Sequence, residues 1–387
     1  MKFIASTTTL LKQLLIINGV ISSKVVIPIL EYFLFEIENE KLRIVGTDLE
    51  VSMQGTIPVE SKENGKIAVP ASKIIEILKS LPEQPITFTI NEKNNSIELS
   101  SENGKYKISG EVAEDFPKFP TIEDAKVFKL PAEVLESAIS KTIHGIGTDE
   151  LKPALTGLFI ELDDKKIKFV STDGNKLVQY TRTDITLDDT VSIILPKKAL
   201  NVLKTSITTD DETVTVEFNN VNALFSLGNQ KIVCRLIDEK FPDYNSAIPI
   251  DLPNILRIGK YNLLDALKRT QIFADKSTYE VIFKISGNDL QLESQDIDYS
   301  NEANERLTCE YDGLNMEIGF SARFLIEMVS NIDSEEVILS LSSKKRPGTI
   351  TPAEANENEE LLMLLMPIVV KESDKEYEDD EQEDDDE

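Results

Sequence analysis

The feature that most constrains this fold is a repeat of domain size. Phe116-Pro117 returns as Phe241-Pro242, and Met366-Pro367 stands in the third place, so the prolines fall at 117, 242 and 367, 125 residues apart each time. Two further landmarks keep the step. Leu42 to Asp48, Ile167 to Asp173 and Leu290 to Asp296 are apolar runs that end in a polar turn. Ile67 to Pro70, Ile193 to Pro196 and Ile318 to Ser321 each lead into a helical pattern. Solenoids and propellers repeat every ~20–50 residues, so this longer period means three copies of a domain. Three such copies suggest an arc, and two arcs suffice to close a ring.

Charge is distributed as unevenly as the repeat is regular. The 387 residues carry a net charge of −28. Residues 371–387 hold twelve acids against Lys371 and Lys375, so that segment alone contributes −10 and the remainder −18. An acidic body argues against bulk attraction to nucleic acid but leaves room for a local basic face. No apolar run approaches the ~20 residues of a membrane helix, and the first residues lack a secretory layout. Cys234 and Cys309 lie in different repeats without metal-type spacing, and read as reduced core thiols of a cytoplasmic protein.

Each repeat carries the same plan. First helices are expected at 8–19, 131–143 and 261–273, with Asn262 as N-cap and Ile272 on the apolar stripe of the third. Second helices follow Pro70, Pro196 and Ser321, with both prolines in the first helical turn. Strands fill the rest without strict strand–helix alternation, which reads as α+β. The boundaries fall at 1–125, 126–252 and 253–370, and 371–387 is expected to be an acidic disordered tail.

At this level of detail the chain resembles the bacterial sliding clamps, the β subunits of the replicative DNA polymerase III. The resemblance covers residues 1–370. It rests on Met1-Lys2-Phe3, Ile27-Pro28-Ile29-Leu30, Ser171 to Leu177, Phe241-Pro242-Asp243-Tyr244 and Leu365-Met366-Pro367, together with the period. It implies three tandem copies of a two-helix, two-sheet clamp domain and a head-to-tail homodimer forming a closed pseudo-six-fold ring. It implies no catalysis and no cofactor. The ring would encircle double-stranded DNA and tether the polymerase III alpha subunit, the clamp loader and other clamp-binding-motif proteins, raising their effective concentration at the template.

The resemblance also implies an apolar groove for partner peptides. Its matching positions include Leu155, Thr172, Gly174, Asn175, Lys176 and Leu177. Pro242, Ala247 and Pro347 follow, then Leu365, Met366, Pro367, Ile368 and Val369. Leucine and methionine offer apolar walls, Gly174 permits a tight turn, and Asn175 and Lys176 are expected at a polar rim. Asn175-Lys176, Ser246 and the run Pro367 to Val370 depart from the common family pattern, toward a less basic groove. DNA-facing cations are expected at Lys24, Lys73, Lys152, Lys197, Lys198 and Lys204, where phosphate contacts position a duplex without reading its sequence. The segments Lys73 to Leu81 and 263–275 are candidates for the ring interface.

Enzyme chemistry finds little support. His144 is the only histidine, and there is neither a phosphate-cradling glycine loop nor a dinucleotide fingerprint. Asp48, Asp173 and Asp296 recur in different repeats and read as turn residues rather than one metal site. A monomeric three-domain scaffold remains the rival reading, separable by solution mass. An inter-domain carboxylate hydrolase is the more distant one.

Overall fold

The computed structural model describes residues 1–22, 26–91, 93–186, 190–208 and 212–368. The chain forms two compact units. The first holds Met1–Asp173 with Tyr180–Pro242, and the second holds Gly174–Gln179 with the chain from Asp243 onward. Lys24, Val369 and the tail 371–387 lie outside the described residues.

Six α-helices are present among the described residues: α1 (Thr7–Ile17), α2 (Ala71–Ser80), α3 (Ala132–Thr142), α4 (Lys197–Ser206), α5 (Lys260–Thr270) and α6 (Ala322–Ser330). Each starts directly after a strand, and the last strand residue is its N-cap: Ser6, Pro70, Pro131, Pro196, Gly259 and Ser321. Pro70 and Pro196 therefore stand one place before the helix, in extended conformation, rather than in its first turn. Asn262 is not the cap of α5, because the strand Asn254–Gly259 passes into the helix at Lys260, which puts Asn262 inside the first turn. Among the six described α-helices only Ser6 offers a side-chain cap, accepting from Thr9 N–H at 3.4 Å.

Backbone carbonyls take over that duty. The first N–H of α1, α3 and α5 donates to the Gln84, Glu212 and Glu335 carbonyls at 3.0, 3.2 and 2.8 Å. Each of these residues lies just past the second helix of the same repeat, so the helix pair of a repeat is tied through an otherwise orphaned donor. Among the described residues six short 3-10 segments are additional, including Pro153–Thr156, Tyr244–Ala247 and Gln271–Phe273. Two helices per repeat is thus too low a count once they are included. Ile272 falls in the last of these segments and is 65% exposed, off the apolar stripe of α5.

Repeats one and three each supply strands to two sheets, as expected, but a sheet is not confined to one repeat. In the first unit one eight-stranded sheet is shared by repeats one and two. The strand Gln230–Arg235 pairs antiparallel with Val51–Pro58, with Gln230 opposite Gly55 and Cys234 opposite Val51. A five-stranded sheet ends at Lys105–Ser109. In the second unit Asn301–Thr308 ends a four-stranded sheet, and Glu359–Leu365, Gly348–Pro352, Glu336–Leu341 and Asn254–Gly259 lie side by side. Each repeat buries its own aromatic core. Phe3 stacks on Phe88 at 4.5 Å in the first, Phe169 lies 6.1 Å from Tyr180 in the second, and Phe283 meets Phe320 at 5.7 Å in the third. Both cysteines are free and buried, and burial pushes the Cys234 thiol up to about 12, which leaves it unreactive.

Candidate partner-binding and nucleic-acid surfaces

The residues matched to a partner groove divide between the two units. In the first, Leu155 is half-buried in the Pro153–Thr156 turn, and its carbonyl accepts Gly147 N–H at 2.9 Å. Thr172 is buried at the end of the strand Ile167–Thr172, and Pro242 is exposed.

In the second unit, Gly174 has φ +96°, a conformation that L side chains rarely adopt, and it turns the chain at the surface. The next residue, Asn175, is exposed, and its carbonyl accepts Met366 N–H at 2.9 Å. That bond brings the 174–177 turn beside the end of the strand Glu359–Leu365. Met366 is 41% exposed, with Pro367 and Ile368 half-buried beyond it. Ala247 is exposed and Pro347 half-buried.

Three side chains do not take the places expected of them. Leu177 and Leu365 are only 3% and 1% exposed, so they form the floor beneath a surface rather than its wall. Lys176 is 4% exposed and is no rim cation. Its ammonium lies 2.7 Å from a Glu327 carboxylate oxygen and 4.6 Å from the centre of the Phe324 ring. Glu327 is also 3.5 Å from Arg323. A buried ammonium must find such partners, because an unpaired charge inside a protein is costly. The reading of Lys176 as a rim contact failed because sequence does not reveal that α6 supplies a carboxylate at this point.

Of the cations expected to face DNA, the five among the described residues, Lys73, Lys152, Lys197, Lys198 and Lys204, lie in the first unit. Lys197 opens α4 and Lys204 lies in its last turn; neither has an ion-pair partner among the described residues, and Lys204 is exposed. Lys73 sits 3.1 Å from Glu76 within α2, and Lys152 sits 4.0 Å from Asp149. Both remain about 60% exposed and keep most of their reach. Lys198 differs from all of these. Its ammonium donates to the Val20 carbonyl at 2.7 Å and to the Asp48 carboxylate. Asp48 in turn accepts Glu50 and Val51 N–H at 3.0 and 2.7 Å, the turn role read from the sequence. Asp296 holds the same role more weakly, accepting Tyr299 N–H at 3.3 Å.

Further surface features lie outside the groove and DNA-facing sets, and of these only Ile272 and Phe273 fall in a segment named from the sequence, the interface candidate 263–275. Lys344, Lys345 and Arg346 form an exposed cationic turn immediately before Pro347. Tyr106, Ile272 and Phe273 are exposed apolar side chains, 37%, 65% and 39% respectively. A run of three cations in an acidic chain is a signal that sequence reasoning can use. Exposure of single aromatic or aliphatic residues is not.

Three family models match the chain in tandem. They describe the N-terminal domain of the DNA polymerase III beta subunit over residues 1–120, its central domain over 129–243 and its C-terminal domain over 245–368. A beta sliding clamp from Synechocystis is 27% identical over 377 residues, covering 91% of this chain and 96% of that protein. The crystal structure of the DNA polymerase III subunit beta from Pseudomonas aeruginosa superposes with a TM-score of 0.89 at 26% identity, covering 96% of this chain and 100% of that one. The corresponding subunit from Thermotoga maritima gives 0.88 at 26% identity, with the same coverage. With three domain models of one family following each other in order over nearly all of the described residues, the chain belongs to the DNA polymerase III beta subunit family.

Proposed function

We propose that this protein is a DNA sliding clamp: two copies join head to tail in a closed ring around duplex DNA and tether the replicative polymerase and other replication and repair factors. It is a processivity factor and not an enzyme. The observation that carries this reading is the tandem order of the three beta-subunit domains. The domains divide at 1–125, 126–252 and 253–370, and the protein works in the cytoplasm, where the chromosome is. Its partners are double-stranded DNA, a second copy of itself, the polymerase III alpha subunit, a clamp loader and other proteins with a clamp-binding motif.

The ends of two sheets support the ring. Lys105–Ser109 and Asn301–Thr308 are terminal strands, in the first and the second unit respectively, and both are largely exposed. Such edges invite pairing with another chain. They differ in net charge: Lys105 and Lys107 stand on one, and Glu302, Glu305 and Arg306 on the other, with Glu305 paired to Arg269 and Glu302 left as its exposed acid. Unlike edges favour a heterologous, head-to-tail contact, which closes into a ring when the rotation permits. Ring closure then provides retention, so weak phosphate contacts from Lys73, Lys152, Lys197 and Lys204 suffice for sliding. Lys198 is set apart from that group by its two internal partners.

For the groove, the proposed contact surface is reduced to the residues that remain accessible. Met366, Pro347, Pro367, Ile368, Gly174, Asn175 and Ala247 of the second unit are open to a peptide, as are Leu155 and Pro242 of the first, whereas Thr172 is buried. Lys176, Leu177 and Leu365 support it from beneath.

Solution mass is the first test. A ring of two chains has twice the 43.4 kDa of one, and a single-chain mass at micromolar concentration would sink the ring. The second is titration of a labelled peptide bearing a Leu-x-Phe anchor against the full chain and Met366→Ala. A loss of about ten-fold is expected for removal of a central hydrophobic contact, and equal affinity would remove Met366 from the groove.

A further inference from the structure

The turn Ser342 to Pro347 joins the antiparallel strands Glu336–Leu341 and Gly348–Pro352. Residues 343–346 are exposed, and Arg346 N–H closes the turn on the Ser343 carbonyl at 3.3 Å. Lys344, Lys345 and Arg346 have no ion-pair partner among the described residues. Acids of the neighbouring strands stand at the far end of the sheet. Glu336 is there, 3.1 Å from Arg257. Glu359 and Leu365 are the two ends of one strand, roughly 20 Å apart, and Leu365 is the end beside the turn.

Register brings the cationic turn to one flank of Met366. Gly348 is opposite Leu365 in the pairing of Gly348–Pro352 with Glu359–Leu365. Continued by one residue, that register puts Pro347 beside Met366, one strand spacing away, about 4.8 Å in the hydrogen-bonding direction. On the other flank Met366 N–H donates to the Asn175 carbonyl at 2.9 Å. Met366, 41% exposed, therefore stands between the Lys344-Lys345-Arg346 turn and the Gly174-Asn175 turn. The two flanks differ in charge. Asn175 is neutral, and the Lys176 ammonium is turned inward to Glu327 at 2.7 Å.

The rest of the chain discourages acidic ligands, because its net charge is −28. Three unpaired cations reverse that field locally. Arg346 offers a planar fork that matches a carboxylate, and the two lysines add point charges on flexible stems. No described acid has to be displaced before a ligand can use them.

We infer that Lys344, Lys345 and Arg346 set the specificity of the partner-peptide surface: they select peptides that carry Asp or Glu next to the apolar anchor seated on Met366. The inference rests on the groove reading above and adds the chemistry of the preferred ligand. The contact consists of exposed ion pairs, individually weak and readily screened by salt. The apolar anchor supplies the hold, and the turn supplies steering and choice among anchors of equal fit.

Fluorescence anisotropy with two labelled peptides tests this. Both carry the same Leu-x-Phe anchor; aspartates flank it in one and serines in the other. At about 50 mM salt the full chain is expected to prefer the aspartate peptide by about five- to twenty-fold. At about 500 mM the preference should fall below about two-fold. In Lys344→Ser with Lys345→Ser and Arg346→Ser the low-salt preference should also fall below about two-fold. The serine peptide should keep its affinity for that variant within about two-fold, which a collapsed surface would not allow. Lys344→Glu with Lys345→Glu should reverse the preference in favour of the serine peptide. Met366→Ala should weaken both peptides alike. Equal affinity of the full chain for the two peptides, or a preference that survives in the triple variant, overturns the inference; the groove then stands or falls on Met366→Ala alone. Failure of both peptides to bind overturns the groove and the inference with it.

Discussion

The Lys198 ammonium sits between the Val20 carbonyl just past α1 and the Asp48 carboxylate, while Asp48 holds its own turn through two backbone N–H groups. A side chain of α4 in the second repeat thus fastens two loops of the first. The lysine side chain is 35% exposed and the aspartate 13%, so solvent screens part of the attraction. Lys198→Met is expected to cost about 1–2 kcal/mol after that discount, and Lys204→Met no more than about 0.5. Urea denaturation midpoints check this, and equal midpoints would return Lys198 to the DNA-facing set. Glu280 makes a second residue-scale case. It is half-exposed, and its Oε1 has no hydrogen-bond partner. Burial first, then the charge of Asp275, raises its carboxyl above the ordinary 4.5. Asp275 is itself held down to about 2 by the Ser277 hydroxyl and by Thr278 and Ser277 N–H, so its charge persists. A folded pKa above the unfolded one means that the native state binds the proton more tightly. The associated stability is full below the unfolded value and is lost as pH rises through the raised one. Glu280→Gln should therefore raise Tm at pH 7, with the gain gone by about pH 4. A gain that persists undiminished at acid pH would contradict this assignment.

The helices show what local pattern conveys and what it leaves out. Apolar spacing located the first helix of each repeat, expected at 8–19, 131–143 and 261–273 and found at Thr7–Ile17, Ala132–Thr142 and Lys260–Thr270. The ends were misjudged because they are set by tertiary bonds rather than by capping side chains. Asn262 has the composition of a cap, but the helix start is fixed where Lys260 N–H meets the Glu335 carbonyl, 75 residues away in sequence. Ile272 fits the helical period, but the backbone tightens to a 3-10 turn after Thr270 and swings it outward. The candidate site was legible to the same degree. The turn Gly174-Asn175 and the strand end at Met366 were found, whereas the burial of Lys176 against Glu327 depends on a helix 151 residues distant. These bonds make a testable distinction. Glu212→Ala and Glu335→Ala leave the capping carbonyls in place and should shift stability by no more than about 0.5 kcal/mol. Ser6→Ala removes the one side-chain cap and should cost about 0.5–1 kcal/mol, toward the low end because that bond is long and exposed. A larger loss in either glutamate variant, measured by thermal unfolding, would mean that the side chain and not the carbonyl holds the helix.

At the scale of the whole molecule the sequence conveys the repeat but not how repeats are sewn together. Pairing of Gln230–Arg235 with Val51–Pro58 joins segments nearly 180 residues apart, and antiparallel pairing at that separation leaves no spacing for a periodicity argument to detect. The free edges were equally hidden, because an edge strand and an internal one share the same alternation; only the topology separates them. Their composition becomes informative once they are known to be edges. Lys107 is exposed on Lys105–Ser109, with Tyr106 beside it, and Glu302 is exposed on Asn301–Thr308. The exposed Ile272 and Phe273 follow α5 in the unit that carries the acidic edge. In the proposed ring the basic edge of one copy meets the acidic edge of the next, twice. Lys107→Glu places like charges across both junctions and should weaken the dimer by about ten-fold or more, because repulsion at a partly desolvated contact is not offset by new partners. Glu302→Lys alone should do the same. The double variant Lys107→Glu with Glu302→Lys restores opposite charges at both junctions and should recover most of the dimer. Sedimentation equilibrium across a dilution series reads all three. Recovery requires that these two edges face each other, since restored net charge alone would act equally at any surface. Two weakened single variants whose combination is weaker still would place the subunit contact elsewhere on the chain.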